Sequence, residues 1–225
     1  MNPLWNLAFI AAPVLQILLI SRVIAGTCKT FPLIGVYAVF TFLATIAEGA
    51  AFLGVYPMSV LYERIYWVNE AVLQILIFSI IISLIYQGMP ATPRRNAASR
   101  WLVASTVAAL VLSLVGSYDV NLNAWMTQVS RNLAFASAVL SFLLWTLLLS
   151  RHARNTQLLL VSAAFGIQAT GKALGHSLRY LKFVSFGDIV MILTYLASLF
   201  VLWKALGISR APEERAVGSS QRAHD

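Results

Sequence analysis

Residues 65–86 read IYWVNEAVLQILIFSIIISLIY. Past Glu70 the run carries no charge as far as Tyr86. A strand of a transmembrane barrel shows alternation over about ten residues. This run is longer and continuous. A helix crosses the hydrocarbon core with about 20 predominantly apolar residues, so the stretch reads as a membrane-spanning helix.

Working outward, the same reading applies to residues 4–21, 32–56, 101–118, 129–149, 156–175 and 186–206, each bounded by charge or by Pro/Gly clusters. Hydrophobic residues make up 60% of the chain and charged ones 11%, against about 25% charged in a soluble domain. The chain is therefore expected to be an all-α, polytopic membrane helix bundle of about seven transmembrane helices. Residues 1–206 form the transmembrane domain, and residues 207–225 form a short cytoplasmic tail, too short to bury a core and expected to be disordered. No Lys or Arg precedes the first apolar run, so that run reads as a retained helix rather than a cleaved signal peptide.

Orientation follows from the basic residues. The loops after the first, third and fifth helices, with the region from Lys204 onward, hold eleven basic residues and three acids. The opposite side holds five of each. The excess of +8 thus lies on one side, which is expected to face the cytoplasm, leaving the N-terminus outside. Such a surface suits anionic inner-leaflet lipid. The basic groups are scattered over separate loops, so nucleic acid is not expected as a partner. The expected setting is a bacterial inner membrane, with the lipid bilayer as one partner and a cytoplasmic or membrane protein as another. Tyr56, Tyr62, Tyr66, Trp67, Tyr118, Trp125 and Tyr180 fall near the outer boundary, and Tyr86, Trp101 and Trp203 near the inner one, as aromatic belts would.

Ionisable groups inside spans cost about 2.5–3.5 kcal/mol each at mid-helix, and here they gather in the outer half. Glu48 lies nine residues before Pro57, about 13 Å along the helix, too deep for its short side chain to reach water. Its neighbours Ala44, Ala47, Gly49 and Ala50 are small and admit another helix. Glu48 reads either as a ligand or proton site or as half of a buried pair with Lys172 or Arg131. Glu70 and Gln74 share a face of the third helix, which Tyr66 continues outward; that face lines a pocket, or else Glu70 is hydrated near the surface. Gln168, Lys172 and His176 form a stripe in the sixth helix, continued by Arg179 if the helix extends. Lys172 reads as a site residue or as a snorkelling lysine, and His176 as a surface histidine. Gly171 and Gly175 read as a packing pair. Asp188, opening the seventh helix, reads as a site residue or as a complement to the helix dipole. Tyr195, two turns below, could carry a hydroxyl into the core. The candidate ligand or proton site is therefore Glu48, Glu70, Gln74, Arg131, Lys172 and Asp188.

Several chemistries are excluded. The histidines are His152, His176 and His224, none read as mid-membrane, so neither a multi-histidine zinc site nor bis-histidine haem is expected. The last helix offers only Lys204, at its end, so a retinal Schiff base is out. Cys28 stands alone, which removes disulfide exchange, and no phosphate-binding glycine loop occurs. No cofactor is expected, and an enzyme is not favoured. A three-plus-one-plus-three layout resembles small seven-helix sugar facilitators, but prolines occur in the first half (Pro13, Pro32) and not in the last three helices, so no family is assigned. The leading expectation is a protein that binds or senses a small polar or charged ligand, or protons, from outside. A transporter or channel using the same cavity and a structural subunit of a membrane complex follow.

Overall fold

A computed structural model describes residues 3–25, 31–53, 60–89, 122–150 and 156–208, together with positions 100, 101, 104, 107, 108, 111–113, 115 and 116. Cys28, Lys29, Tyr56, Pro57, Arg94, Arg95, Tyr118, Asp119, His152 and residues 209–225 lie outside the described residues, as do the side chains of Tyr62, Glu63 and Arg64. Among the described residues there is no strand. The ordered elements are α1 (Pro3–Ile24), α2 (Pro32–Leu53), α3 (Val60–Gly88), α4 (Leu122–Ser150), α5 (Thr156–Tyr180) and α6 (Val184–Gly207). The described positions of the expected fourth span, between 100 and 116, are helical as well. Among the described residues, α2, α3, α4, α5 and α6 contain stretches long and apolar enough to cross a membrane. The chain is a helical membrane bundle.

Pro32 occupies the first helical position of α2, where the missing N–H costs nothing. Elsewhere helices outrun their apolar segments. α4 begins at Leu122 and α5 runs on to Tyr180, because backbone hydrogen bonding continues through polar outer turns that hydropathy does not mark. The extension of α5 matters, since it makes Arg179 helical.

The helices close into a ring. α1 packs on α2 and α6, α2 on α3, α3 on α4, α4 on α5, and α5 on α6, with α3 also reaching across to α5. One apolar core joins Leu19 and Val23 of α1, Ile34 of α2, Ile80, Ile81 and Leu84 of α3, Leu144 and Leu148 of α4, Val161 and Phe165 of α5, and Leu199 and Leu202 of α6. These are the C-terminal ends of α1, α3, α4 and α6 and the N-terminal ends of α2 and α5. They mark one end of the bundle, here termed the basic end because Arg22 and Lys204 flank Trp203 there. α3 and α4 point the same way, so the chain returns between them, and the expected fourth span lies in that return.

The tightest contact joins α5 to α6. A Cβ on Gly187 would sit 2.6 Å from the backbone oxygen of Gly175, and one on Gly175 would sit 2.9 Å from that of Gly187. A Cβ on Gly171 would overlap the side chain of Thr194. The backbones can meet only because these three side chains are absent. The turn between the helices is equally tight. Phe183 N–H donates to the Leu178 carbonyl at 2.9 Å and Lys182 N–H to that of Arg179 at 3.0 Å, a Schellman closure. Lys182 holds the left-handed position with φ 69°, which glycine occupies without a Cβ penalty. Lys182→Gly should therefore raise stability by about 1 kcal/mol, seen as a higher melting temperature in detergent. An unchanged or lower value would mean that the lysine side chain contributes more than its backbone strain costs.

Candidate functional site

At the end opposite the basic one, charge replaces the apolar core. Tyr66, Glu70 and Gln74 recur every fourth residue of α3 and so share a face. Gln168, Lys172 and His176 do the same on α5. The contact between α3 and α5 brings the two rows together.

Glu70 and Lys172 form the centre. Lys172 Nζ donates to Glu70 Oε1 at 2.8 Å and Oε2 at 2.9 Å, with side-chain exposures of 14% and 10% for Lys172 and Glu70. The lysine turns inward to a carboxylate across the bundle rather than snorkelling, and Glu70 is buried and paired rather than hydrated. His176 lies one turn beyond Lys172. It is 1% exposed, which corrects its reading as a surface histidine: the helix continues past Gly175, so its stripe faces the interior. His176 Nε2 points at Glu70 Oε1 from 3.6 Å, too long for a hydrogen bond. Neither ring nitrogen has a partner.

A second pair lies alongside. Arg179 presents Nε and Nη2 to Asp188 Oδ1 at 2.7 and 2.6 Å, and Nη1 donates to Tyr66 Oη at 3.2 Å. Because α6 begins at Val184, Asp188 lies beyond its first turn, and the ion pair with Arg179, not the helix dipole, accounts for it. Tyr66 and the buried Trp67 meet edge-on, with ring centroids 4.9 Å apart, so these two aromatics belong to the interior rather than to an outer belt. Tyr180, Tyr86 and Trp101 are exposed.

The remaining site residues fall around this centre. Glu48, half-buried on α2, accepts a hydrogen bond from Asn69 Nδ2 at 3.1 Å. It pairs with neither Lys172 nor Arg131, although it lies within electrostatic range of Lys172 and Glu70. Gln74, 1% exposed, donates to Ser137 Oγ of α4 at 3.5 Å, and its Oε1 is without a partner. Arg131 is set apart from the carboxylates: its guanidinium lies over the Tyr180 ring, 4.6 Å from the centroid. Glu48, Glu70, Lys172 and Asp188 therefore converge in one half of the bundle, Gln74 lies one turn deeper, and Arg131 sits at the rim.

A neutral polar layer lies below. Gln16 Nε2 donates to Tyr195 Oη at 2.6 Å and Thr45 Oγ1 at 2.9 Å, while its own Oε1 has no partner. Tyr37 Oη donates to Gln168 Oε1 at 2.7 Å. Tyr195 does carry its hydroxyl into the core. Gln16 was missed because one amide in an apolar helix gives no sign of which way it faces. The signal for His176 was present in its four-residue spacing from Lys172. Among the described residues no three His, Cys, Asp or Glu side chains are grouped to hold a metal ion. Comparisons with protein families, with curated proteins and with solved structures give no match for this chain.

Proposed function

We propose that this protein binds a small polar or charged ligand, or a proton, in the polar half of its bundle and signals occupancy by a shift of the helices. The observation that carries the reading is the segregation of charge. Glu48, Glu70, Lys172, Arg179 and Asp188, from four helices, gather in one half, and large apolar side chains fill the other. Packing alone gives no reason to collect costly charges at one end. By the distribution of Lys and Arg, the polar half faces outside, the C-terminus lies in the cytoplasm of a bacterial cell, and a cytoplasmic or membrane protein partner receives the signal. The ligand would meet Glu70, Lys172 and Glu48 first, and Gln74 and Asp188 beside them, with Arg131 at the entrance.

A transporter reading rests on a different observation. The layer of Gln16, Thr45, Tyr195, Tyr37 and Gln168 carries hydrogen-bonding groups deeper than the ion pairs. The apolar core beyond it favours binding over passage.

Both are tested on purified protein. A panel of alkali cations, ammonium and methylammonium salts, and free amino acids is scanned for thermal stabilisation, then for flux into liposomes. A ligand at one hundred times its Kd stabilises by about 2.7 kcal/mol. The expected result is saturable stabilisation by at least one solute, lost in Glu48→Gln, with no flux. Flux of the stabilising solute would move the conclusion to transport. Stabilisation by no solute, together with no protonation at the site, would remove the binding reading.

A further inference from the structure

The structure assigns His176 as a proton-binding site: a proton adds to Nε2, the imidazolium takes Glu70 Oε1, and Lys172 Nζ turns toward Glu48. This rests on the binding reading above and names the proton as the ligand.

The argument begins with charge. Arg179 is committed to Asp188, with two of its nitrogens on one carboxylate oxygen. Among the described residues, the carboxylates of Glu70 and Glu48 are left with one cation, Lys172, which lies on Glu70. Glu48 has a single neutral donor, Asn69. With Glu48 ionised, the described side chains of the group are one positive charge short, in a setting where an uncompensated charge is costly. His176 is the side chain beside it that can supply that charge, since histidine changes its charge between about pH 5 and 8.

Geometry supports the same residue. His176 Nε2 faces Glu70 Oε1 at 3.6 Å, and a charged N–H···O hydrogen bond closes to about 2.8 Å. A buried imidazole with both nitrogens unpartnered is unusual, and with its hydrogen on Nδ1 it presents a lone pair toward the carboxylate. Among the described residues, the titratable and charged groups around it and its carboxylate are Glu70 and Tyr66 of α3, Asp188 and Tyr195 of α6, Glu48 and Tyr37 of α2, and Lys172 and Arg179 of its own helix, with Arg131 of α4 held on the Tyr180 ring. Glu70 is the carboxylate its ring meets. Lys172 and Asp188 keep 14% and 15% of their side-chain surface exposed, so protein does not seal the group off from a proton donor. The balance is simple: one N–H bond forms at Nε2, the proton comes from hydronium, and a water molecule is left.

Lys172 holds both oxygens of Glu70 in the neutral state. An imidazolium at Oε1 weakens that grip by competition and like-charge repulsion. Glu48, on α2, then becomes the better partner. The move transfers an ion pair from the α3–α5 contact to one between α2 and α5, which makes a proton a cause of helix rearrangement.

The test uses His152→Gln/His224→Gln, which leaves His176 as the one histidine of these 225 residues, with its ring nitrogens followed by 15N NMR in nanodiscs from pH 5 to 8. The expected result is conversion from neutral ring to imidazolium inside this window. Adding Glu48→Gln removes the second partner of Lys172. It should move the midpoint to lower pH by about one unit, a tenfold weaker proton affinity, while Glu48→Asp should largely keep it. A ring that stays in one state throughout overturns the proposal, and so does a midpoint indifferent to Glu48→Gln. The titration itself is read with every residue of the site intact, so it stands even if Glu48→Gln does not fold. A silent ring with a stabilising solute in the ligand panel would remove the proton and leave the site; silence in both would remove both.

Discussion

Lys172→Met should destabilise the protein by about 3–5 kcal/mol, the cost of leaving a buried charge without its partner. At about 2–4 °C per kcal/mol for a chain of this size, the melting temperature in detergent should fall by roughly 10 °C. The substitution strands Glu70 and Glu48 together, with no cation between them. Glu70→Gln removes the other half of the same pair, yet should cost less, because Lys172 then has Glu48 within electrostatic range. In Glu70→Gln/Lys172→Met both charges are gone and the shape is nearly kept, so much of the loss should be recovered. Unfolding of the two single variants and the double variant, measured as a cycle, checks this. Equal losses for the two singles would mean that Glu48 is out of reach of Lys172. A Lys172→Met protein within about 1 kcal/mol of wild type would mean that the pair is solvated.

The second large effect is steric. In Gly187→Val the added carbons would be driven into the Gly175 carbonyl, a backbone atom that cannot rotate away. The α5–α6 contact must then open, at a cost of about 1–3 kcal/mol or more. It would also part Arg179 from Asp188. Gly166→Ala is the control. Its Cβ would meet Ser141 Cβ at 3.6 Å, an ordinary contact, and alanine should be neutral or gain up to about 1 kcal/mol from helix propensity. The readout is the melting temperature of each variant beside wild type. If Gly187→Val melts with Gly166→Ala, the close approach of the two helices is not what holds them.

What the amino-acid sequence reveals of this protein follows from what hydropathy measures. It found the six helices from α1 to α6 because lipid demands long apolar runs, and it found the excess of charge in one half of the bundle because charges in spans are conspicuous. It stopped α5 at Gly175, where polarity rises, and so lost the turn that carries His176 inward and Arg179 toward Asp188. It also weighed the wrong partners. Glu48 with Lys172 is reasonable by depth, but which of two carboxylates a lysine meets depends on the rotation of α2 and α3 about their axes. That rotation is set by side-chain packing between helices, of which a sequence read alone gives little sign. Gln16 with Tyr195 is another such pair, 179 residues apart. Gly171 and Gly175 were legible as a packing pair because their spacing itself encodes the contact.

The hairpin of α5 and α6 bears on how the chain enters a membrane at all. α5 is less apolar than α6, and it carries Lys172 and Arg179. Considered alone it is a poor candidate to leave the translocation machinery for lipid, at about 2.5–3.5 kcal/mol per deeply placed charge. Glu70 has already been synthesised by then, but Asp188 comes nine residues after Arg179 and only with the start of α6. The free energy of inserting α5 is thus set by the segments on either side of it. The three-residue turn and the facing glycines hold α6 close enough to α5 for the two helices to be expected to partition as a unit.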